Sequence, residues 1–379
     1  MDELRFRWRL RLHGSHDDRL YASAGRRLLE ETSPGRLAAT GRIRDRPDGG
    51  LRGYLRRRAL TGGLGRRALE RAVGAVTTTN VWRVGDDRLL ATLGRRLLAS
   101  GDGSRTWTAV RDLPASSGPM GVLPTALCRD GDRLLLGEYP LGGQTPRILE
   151  STDCGRTWST LIAVPEVRHV HALRTDPYGG DVWVTAGDTD AESRIARLRD
   201  GALDVVGTGS QRWRAVDLAF TPDAVIWGMD CTYAEANHVL RLLRDRLDDP
   251  DPTPESLHVA SGSVFYAASL TVDGVQWIAL STALEPGIDS TADDDRQVNR
   301  TGTADVIAAS AATDFEEWHT LASYGKRSVP TDRARQLPTA SAYVFLAADD
   351  RGLAVNPYNT DRHDGTIRRY APEALANLE

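Results

Sequence analysis

Lysine is almost missing from this chain: Lys326 stands alone, and the remaining positive charge is arginine. That usage fits a GC-rich coding sequence better than a chemical demand. An excess of positive charge is missing too. Lysine and arginine total 48 against 52 aspartates and glutamates over 379 residues, a formal charge of −4. The molecule as a whole therefore lacks the basic signature of nucleic-acid binding. The same near-balance argues against a strongly salt-adapted surface, despite acidic clusters at Asp248-Asp249 and Asp293-Asp294-Asp295. Cysteine is scarce, and Cys128, Cys154 and Cys231 show neither metal-ligand spacing nor a disulfide framework, which fits a reducing compartment. No apolar run approaches the roughly 18 residues of a membrane helix. Met1 to Gly14 alternates Leu4, Phe6, Trp8, Leu10 and Leu12 with Arg5, Arg7, Arg9 and Arg11. That is strand periodicity, not the continuous apolar core of a signal peptide. The expectation is a cytoplasmic chain with no transmembrane segment and no nucleic-acid partner.

What the chain does have is a repeated turn. Ser151-Thr152-Asp153-Cys154-Gly155-Arg156-Thr157-Trp158 reads S-x-D-x-G-x-T-W. Ser100-Gly101-Asp102-Gly103-Ser104-Arg105-Thr106-Trp107 repeats it about 51 residues earlier, with Ser104 at the glycine position. Serine and aspartate side chains bond nearby backbone amides and close a tight turn. Gly155 supplies a backbone angle that other residues adopt only at a cost. Threonine and tryptophan then start a returning strand, and the indole covers the underside of the turn. A decayed third copy is read at Thr313-Asp314-Phe315-Glu316-Glu317-Trp318, keeping only the aspartate and the tryptophan.

This motif resembles the Asp-box (BNR repeat) of sialidase-like β-propellers. The resemblance implies an all-β fold, a six- or seven-bladed β-propeller, with the boxes lying away from the active site. The family contains glycosidases, polysaccharide lyases and non-catalytic receptors. A sialidase would need an arginine triad, its first member in an (F/Y)-R-I-P motif, and Pro146-Arg147-Ile148-Leu149 does not supply it. Only the turn positions carry over, and typical sialidase activity is not expected.

Short strands punctuated by glycine, aspartate and proline recur along the chain, with little helical periodicity. They group as Arg19–Ile43, Thr77–Val110, Gly121–Val164, His169–Gly209, Trp213–Leu247, an enlarged unit Leu257–Tyr324, and Ala342–Tyr370. The expectation is one propeller domain over 1–379, its N-terminal strand completing the last blade so that no sheet edge stays open. Residues 51–76, rich in arginine, leucine, alanine and glycine, read as a short helical insertion. They make the N-terminal region basic, either as a patch for an acidic glycan or membrane surface, or as a plain solvated face. Asp248–Glu255 reads as a loop, and 285–301 as a loop long enough to cover a site.

Blade geometry then sorts the polar residues. Turns between third and fourth strands, which hold the Asp-boxes, face one side of the ring. Turns between second and third strands, and the links between blades, face the other. On that second face fall Glu138 and Tyr139, then His169 and His171, whose imidazoles share one side of a strand. The loop 187–192 with Asp188 follows, then Arg212 and Arg214. The loop 229–238 carries Asp230, Tyr233, Glu235 and Asn237, and the last blade adds Asn356, Tyr358 and His363. Aromatic, carboxylate, arginine and imidazole groups around one ring mouth suit a carbohydrate or glycan ligand, and paired carboxylates suit work at a glycosidic bond.

The expected catalytic set is His169, His171, Asp188, Asp230, Tyr233 and Glu235. The substrate-binding set is Glu138, Tyr139, Arg212, Arg214, Asn237 and Tyr358, with Arg212 as a carboxylate clamp. Each has a plainer reading. Asp188 and Asp230 could cap turns, the histidines could be satisfied core residues, and the arginines could pair structurally. His169 and His171 could also be two ligands of a divalent metal, with Asp188 or Asp230 as the third. Two functions stay open: a glycoside hydrolase or polysaccharide lyase for an acidic glycan, and a non-catalytic glycan-binding or scaffold propeller in cell-surface glycan assembly.

Overall fold

A computed structural model of the chain describes residues 2–44, 78–118, 120–285, 301–329 and 341–378, with isolated positions between 55 and 74. It is an all-β ring of seven four-stranded antiparallel sheets. Blades one to six run over residues 11–42, 81–112, 127–163, 170–208, 219–260 and 264–325. Blade seven spans 343–370 and takes its outer strand from the N-terminus, where Asp2–Leu4 pairs antiparallel with Arg369–Ile367. The first strands of neighbouring blades pack together around the axis.

Burial explains why these stretches read as they do. In blade four the second strand, Val182–Ala186, is buried at every position, because both of its faces meet a neighbouring blade. The outer strand, Ala202–Thr208, is mostly exposed. Among the described residues the core is not one mass but seven apolar clusters, one in each gap between adjacent blades. The gap between blades four and five holds Trp183, Phe220, Trp213 and Trp227, the last two stacked at 5.6 Å. Burying such rings supplies much of the apolar driving force that locks one blade to the next.

Ring closure has its own polar staple. Asn356 of blade seven accepts the Leu12 backbone N–H of blade one at 2.9 Å and donates to the Thr366 carbonyl at 2.7 Å. Glu31, buried in blade one, receives Arg369 at 2.9 Å and also Arg351, both from blade seven.

Two expectations change in detail. The fourth strand of blade five is Glu255–Ala260, so the unit expected to start at Leu257 starts instead with the inner strand Val264–Val272. The loop before Glu255 lies inside blade five, between its third and fourth strands, and does not separate blades. The helical insertion expected over 51–76 and the body of the 285–301 loop lie outside the described residues, apart from Leu55, Ala68, Glu70, Arg71 and Gly74 in the first and Glu285 and Thr301 in the second. Among the described residues a short helix, Pro372–Ala376, ends the fold, and no helix is long and apolar enough to cross a membrane.

Both clasps occupy third-to-fourth strand turns, in blades two and three. In the second, Asp153 accepts Ser151 Oγ at 2.8 Å, the Thr157 amide at 2.9 Å and Thr157 Oγ1 at 2.7 Å, while Gly155 N–H donates to Ser151 Oγ at 2.8 Å. The Trp158 indole donates to the Gly155 carbonyl at 3.0 Å. Backbone and hydroxyl donors from Thr157 hold the Asp153 carboxyl down to about 2. The first clasp repeats this, with Ser104 forced to φ 74° where Gly155 has 84°. The decayed copy keeps the fold of the turn. Trp318 donates to the Phe315 carbonyl at 2.9 Å, and Phe315 stands at φ 58° in the glycine position. Its aspartate is out of register: Asp314 falls one place late, and Thr313 occupies the motif's aspartate position.

Candidate functional site

Because the first three strands of every sheet run in sequence from the inner strand outward, second-to-third strand turns and inter-blade links emerge on the face opposite the clasps. On that face, loops of blades three, four and five bring one polar cluster together.

The link into blade four delivers the histidines. His169 precedes the inner strand Val170–Thr175, and a bulge at His171 breaks the register and re-aims its side chain. Both rings are buried, with centroids 4.9 Å apart. The Tyr139 ring stacks on His169 at 3.8 Å. Asp188 arrives from the next turn. Gly187, at φ 88°, packs so tightly on the Glu192 carbonyl that a β-carbon would sit 2.2 Å from it, and its amide donates to the His169 carbonyl at 3.1 Å. Asp188 Oδ1 lies 3.0 Å from His169 Nε2 and 3.3 Å from His171 Nε2, and Oδ2 accepts Arg168 at 3.0 Å.

The link from blade four to blade five delivers the arginine. A single 3₁₀ turn, Gln211–Trp213, is pinned by the buried Trp213 ring, against which Gly207 leaves no room for a side chain. This turn splits its two arginines. Arg212 donates to the Pro254 carbonyl, beside the fourth strand of blade five. Arg214 reaches into the cluster: one guanidinium nitrogen stands 3.4 Å from Asp188 Oδ1 and 3.1 Å from Asp230 Oδ2, and another donates to the Asp188 carbonyl at 3.0 Å. Of the two arginines, Arg214 enters the cluster, and Arg212, expected as a carboxylate clamp, is bonded to the Pro254 carbonyl instead.

The charges tune one another. Burial would raise the Asp188 carboxyl, but His169 and His171 outweigh it and hold the group well below the usual carboxylate range. Burial lowers His169, and the bond to Asp188 offsets this only in part. Burial pushes the Tyr139 phenol up. Glu285, at the start of the long loop of blade six, is pushed up to about 7 by burial and by the Asp230 charge, with Arg214 and a 3.4 Å bond from Ser263 pulling the other way. Burial alone would lower Arg214; Asp230 and Asp188 hold it up.

Buried polar atoms are normally paired. Here His169 Nδ1, Arg214 Nε and Asp230 Oδ1 are buried without a partner. His169, His171 and Asp188 offer ligand atoms that all lie within 4.8 Å of one another, the one group among the described residues whose donors could hold a metal ion.

Thus Tyr139, His169, His171, Asp188, Arg214 and Asp230 are brought together. The other named residues are placed differently. Glu138 is fully buried and held by Arg147 through two bonds of 2.8 Å, a structural pair across the hairpin. Asn237 braces its own loop, accepting the Cys231 amide at 3.0 Å and donating to the Cys231 carbonyl at 2.9 Å. Tyr233 is exposed on the loop, its hydroxyl 3.4 Å from Asp190, and Glu235 is exposed beside it. Tyr358 is buried among Tyr343 and Phe345 between blades seven and one. His363 sits 3.2 Å from Glu3 and so tethers the N-terminal strand.

Sequence reasoning passed over Arg168 and Glu285. Arg168 adjoins the histidine pair. Glu285 lies three residues past the second strand of blade six, one place beyond the positions of Asp188 in blade four and Asp230 in blade five. That near-equivalence between blades was the available signal.

No protein-family model matches the chain, and no curated protein matches it in sequence. Solved structures match its fold. One described as YCF48 bound to D1 peptide aligns over 97% of this chain and 93% of its own, with TM-score 0.50 and 11% identity. An ancestral GH74 enzyme aligns over 95% of this chain but 45% of its own, with TM-score 0.49 and 10% identity. A puromycin-hydrolyzing peptidase of Mycobacterium tuberculosis aligns over 95% and 53%, with TM-score 0.48 and 13% identity. In all, 463 solved chains match, and what these likenesses share is the β-propeller fold, which hosts many functions and selects none.

Proposed function

We propose that this propeller acts on a glycan containing an acidic sugar, cleaving a glycosidic bond at the mouth opposite the clasps. The observation that carries this reading is Asp230. Its Oδ1 is buried and unpartnered, its Oδ2 is held by Arg214, and its charge helps keep Glu285 protonated up to about pH 7. Two carboxyl groups kept in opposite protonation states are what glycoside hydrolysis needs. Glu285 gives its proton to the leaving oxygen. Asp230 activates water or attacks the anomeric carbon. Arg168, with its side chain 53% exposed beside Asp188, supports the acidic-sugar reading, since an exposed guanidinium pairs well with a carboxylate.

A panel of neutral and uronic-acid glycans, assayed for released reducing ends and for unsaturated products, tests the reading. Release by the wild type, lost in Glu285→Gln, supports it; unsaturated products would shift the chemistry to β-elimination. A second reading, glycan recognition without cleavage, is favoured by the filling of Asp188 from both sides by Arg168, Arg214 and the histidines, as in a structural staple. Glycan binding with no release would select it.

A further inference from the structure

We propose that His169, His171 and Asp188 form a binding site for one first-row divalent metal ion of the zinc or iron type. The proposal rests on the donor set and not on the glycan reading.

The first argument is a proton count. His171 Nδ1 lies 3.1 Å from the Ala215 carbonyl. A carbonyl only accepts, so Nδ1 carries the proton. With the proton on Nδ1, the Nε2 of a neutral ring turns its lone pair to Asp188 Oδ1, 3.3 Å away, and a metal ion between them would use both lone pairs.

The second argument is geometry. A tetrahedral ion with bonds of about 2.0–2.2 Å keeps its ligand atoms about 3.2–3.6 Å apart. The two histidine Nε2 atoms stand 3.0 and 3.3 Å from the same carboxylate oxygen, and the three ligand atoms all lie within 4.8 Å of one another, so binding would draw them together. Two outer partners are in place: Ala215 accepts from His171 Nδ1, and Arg168 holds Asp188 Oδ2 at 3.0 Å; Oδ1 faces both histidines, with Arg214 3.4 Å away, and His169 Nδ1 has no partner. Three protein ligands leave coordination open to water. Asp230 Oδ1, buried and unpartnered across Arg214, is the nearby acceptor for such a water. Two imidazoles with one carboxylate favour zinc, iron or a neighbour in that row over magnesium or calcium, which prefer all-oxygen sites.

The test uses the full chain, freed of metal with a chelator. Zn²⁺ is titrated by calorimetry and Co²⁺ by visible absorption, with no glycan present. The expected result is one equivalent bound, with His169→Gln and His171→Gln each weakening binding about 100-fold or more, and His258→Gln, outside the site, leaving it unchanged. Arg168→Gln, a surface change that keeps all three ligands, should weaken it about 10-fold or more and serves if a histidine variant fails to fold. Absence of one-equivalent binding, or binding that survives the double histidine change, overturns the proposal. Metal binding without glycan cleavage would sink the proposed function alone. Cleavage by a chain that binds no metal would sink the metal site alone.

Discussion

The clasp at Ser151–Trp158 and the mouth around Asp188 are both small polar constructions on strand ends, and they are finished differently. In the clasp, Ser151, Asp153, Thr157 and Trp158 each meet a partner inside the same eight residues. In the mouth, groups from several segments converge, and three buried atoms meet nothing. Local networks that close on themselves hold a turn together. Networks assembled across blades with atoms left over are poised for something else. On this contrast rests the proposal that the clasp face is structural and the mouth is where the chemistry lies.

The comparison is broken most severely at the carboxylates. Glu285→Gln should lower turnover about 10²- to 10⁴-fold, the range for a lost general acid. Combining it with Asp230→Asn should lose little more than either alone, since the two act as a unit; additive losses in kcat/KM would separate them. The two arginines come next. Arg214→Ala leaves Asp188 and Asp230 short of a buried partner and should cost about 3–5 kcal/mol by denaturant unfolding. Arg212→Ala removes one bond to a carbonyl and should cost about 1 kcal/mol. Equal costs would mean that Arg214 is not the hub.

The pH dependence gives a third test. Glu285 has a raised folded-state pKa, so its contribution to stability is full below about 4.5 and is lost as pH rises through about 7. Glu285→Gln, measured on the chelated chain, should match the wild type near pH 4.5 and exceed it by about 1–3 kcal/mol near pH 9. The groups facing Glu285 (Asp230, Asp188, Arg214 and Ser263) should remain as they are in both proteins. A deficit at high pH would show that Glu285 is ionised in a favourable pair.

On the clasp face, Ser151→Ala strands the Gly155 amide and should cost about 1–2 kcal/mol with no change in turnover. The smallest effect is a gain. Ser104 holds a left-handed backbone and a buried hydroxyl without a partner, so Ser104→Gly should stabilise by about 1 kcal/mol. Gly155→Ser should do the reverse, because its β-carbon would sit 2.6 Å from Leu90.

The sequence made the ring and its two faces legible because both follow from local rules: period-two strands, tight turns, and the alternation of strand ends. His169, Asp188, Arg214 and Asp230 were placed on one face by that rule alone. Their partners were harder to read. Arg212 and Arg214 look equivalent until a 3₁₀ turn pinned by Trp213 sends them apart. Glu138 looks like a free carboxylate until the hairpin register sets Arg147 beside it. Asn237 looks like a ligand until it braces its own loop. In each case the deciding contact depends on how a turn is built, which composition does not record.

The separation of faces is tested most directly by assaying wild type, Ser151→Ala and Asp230→Asn side by side on the same glycan at 25 °C, with folding checked by circular dichroism. The account predicts cleavage by the first two, with Ser151→Ala merely easier to melt, and at least a 100-fold loss in Asp230→Asn with an unaltered fold. Undiminished cleavage by Asp230→Asn, or a loss confined to Ser151→Ala, would contradict it.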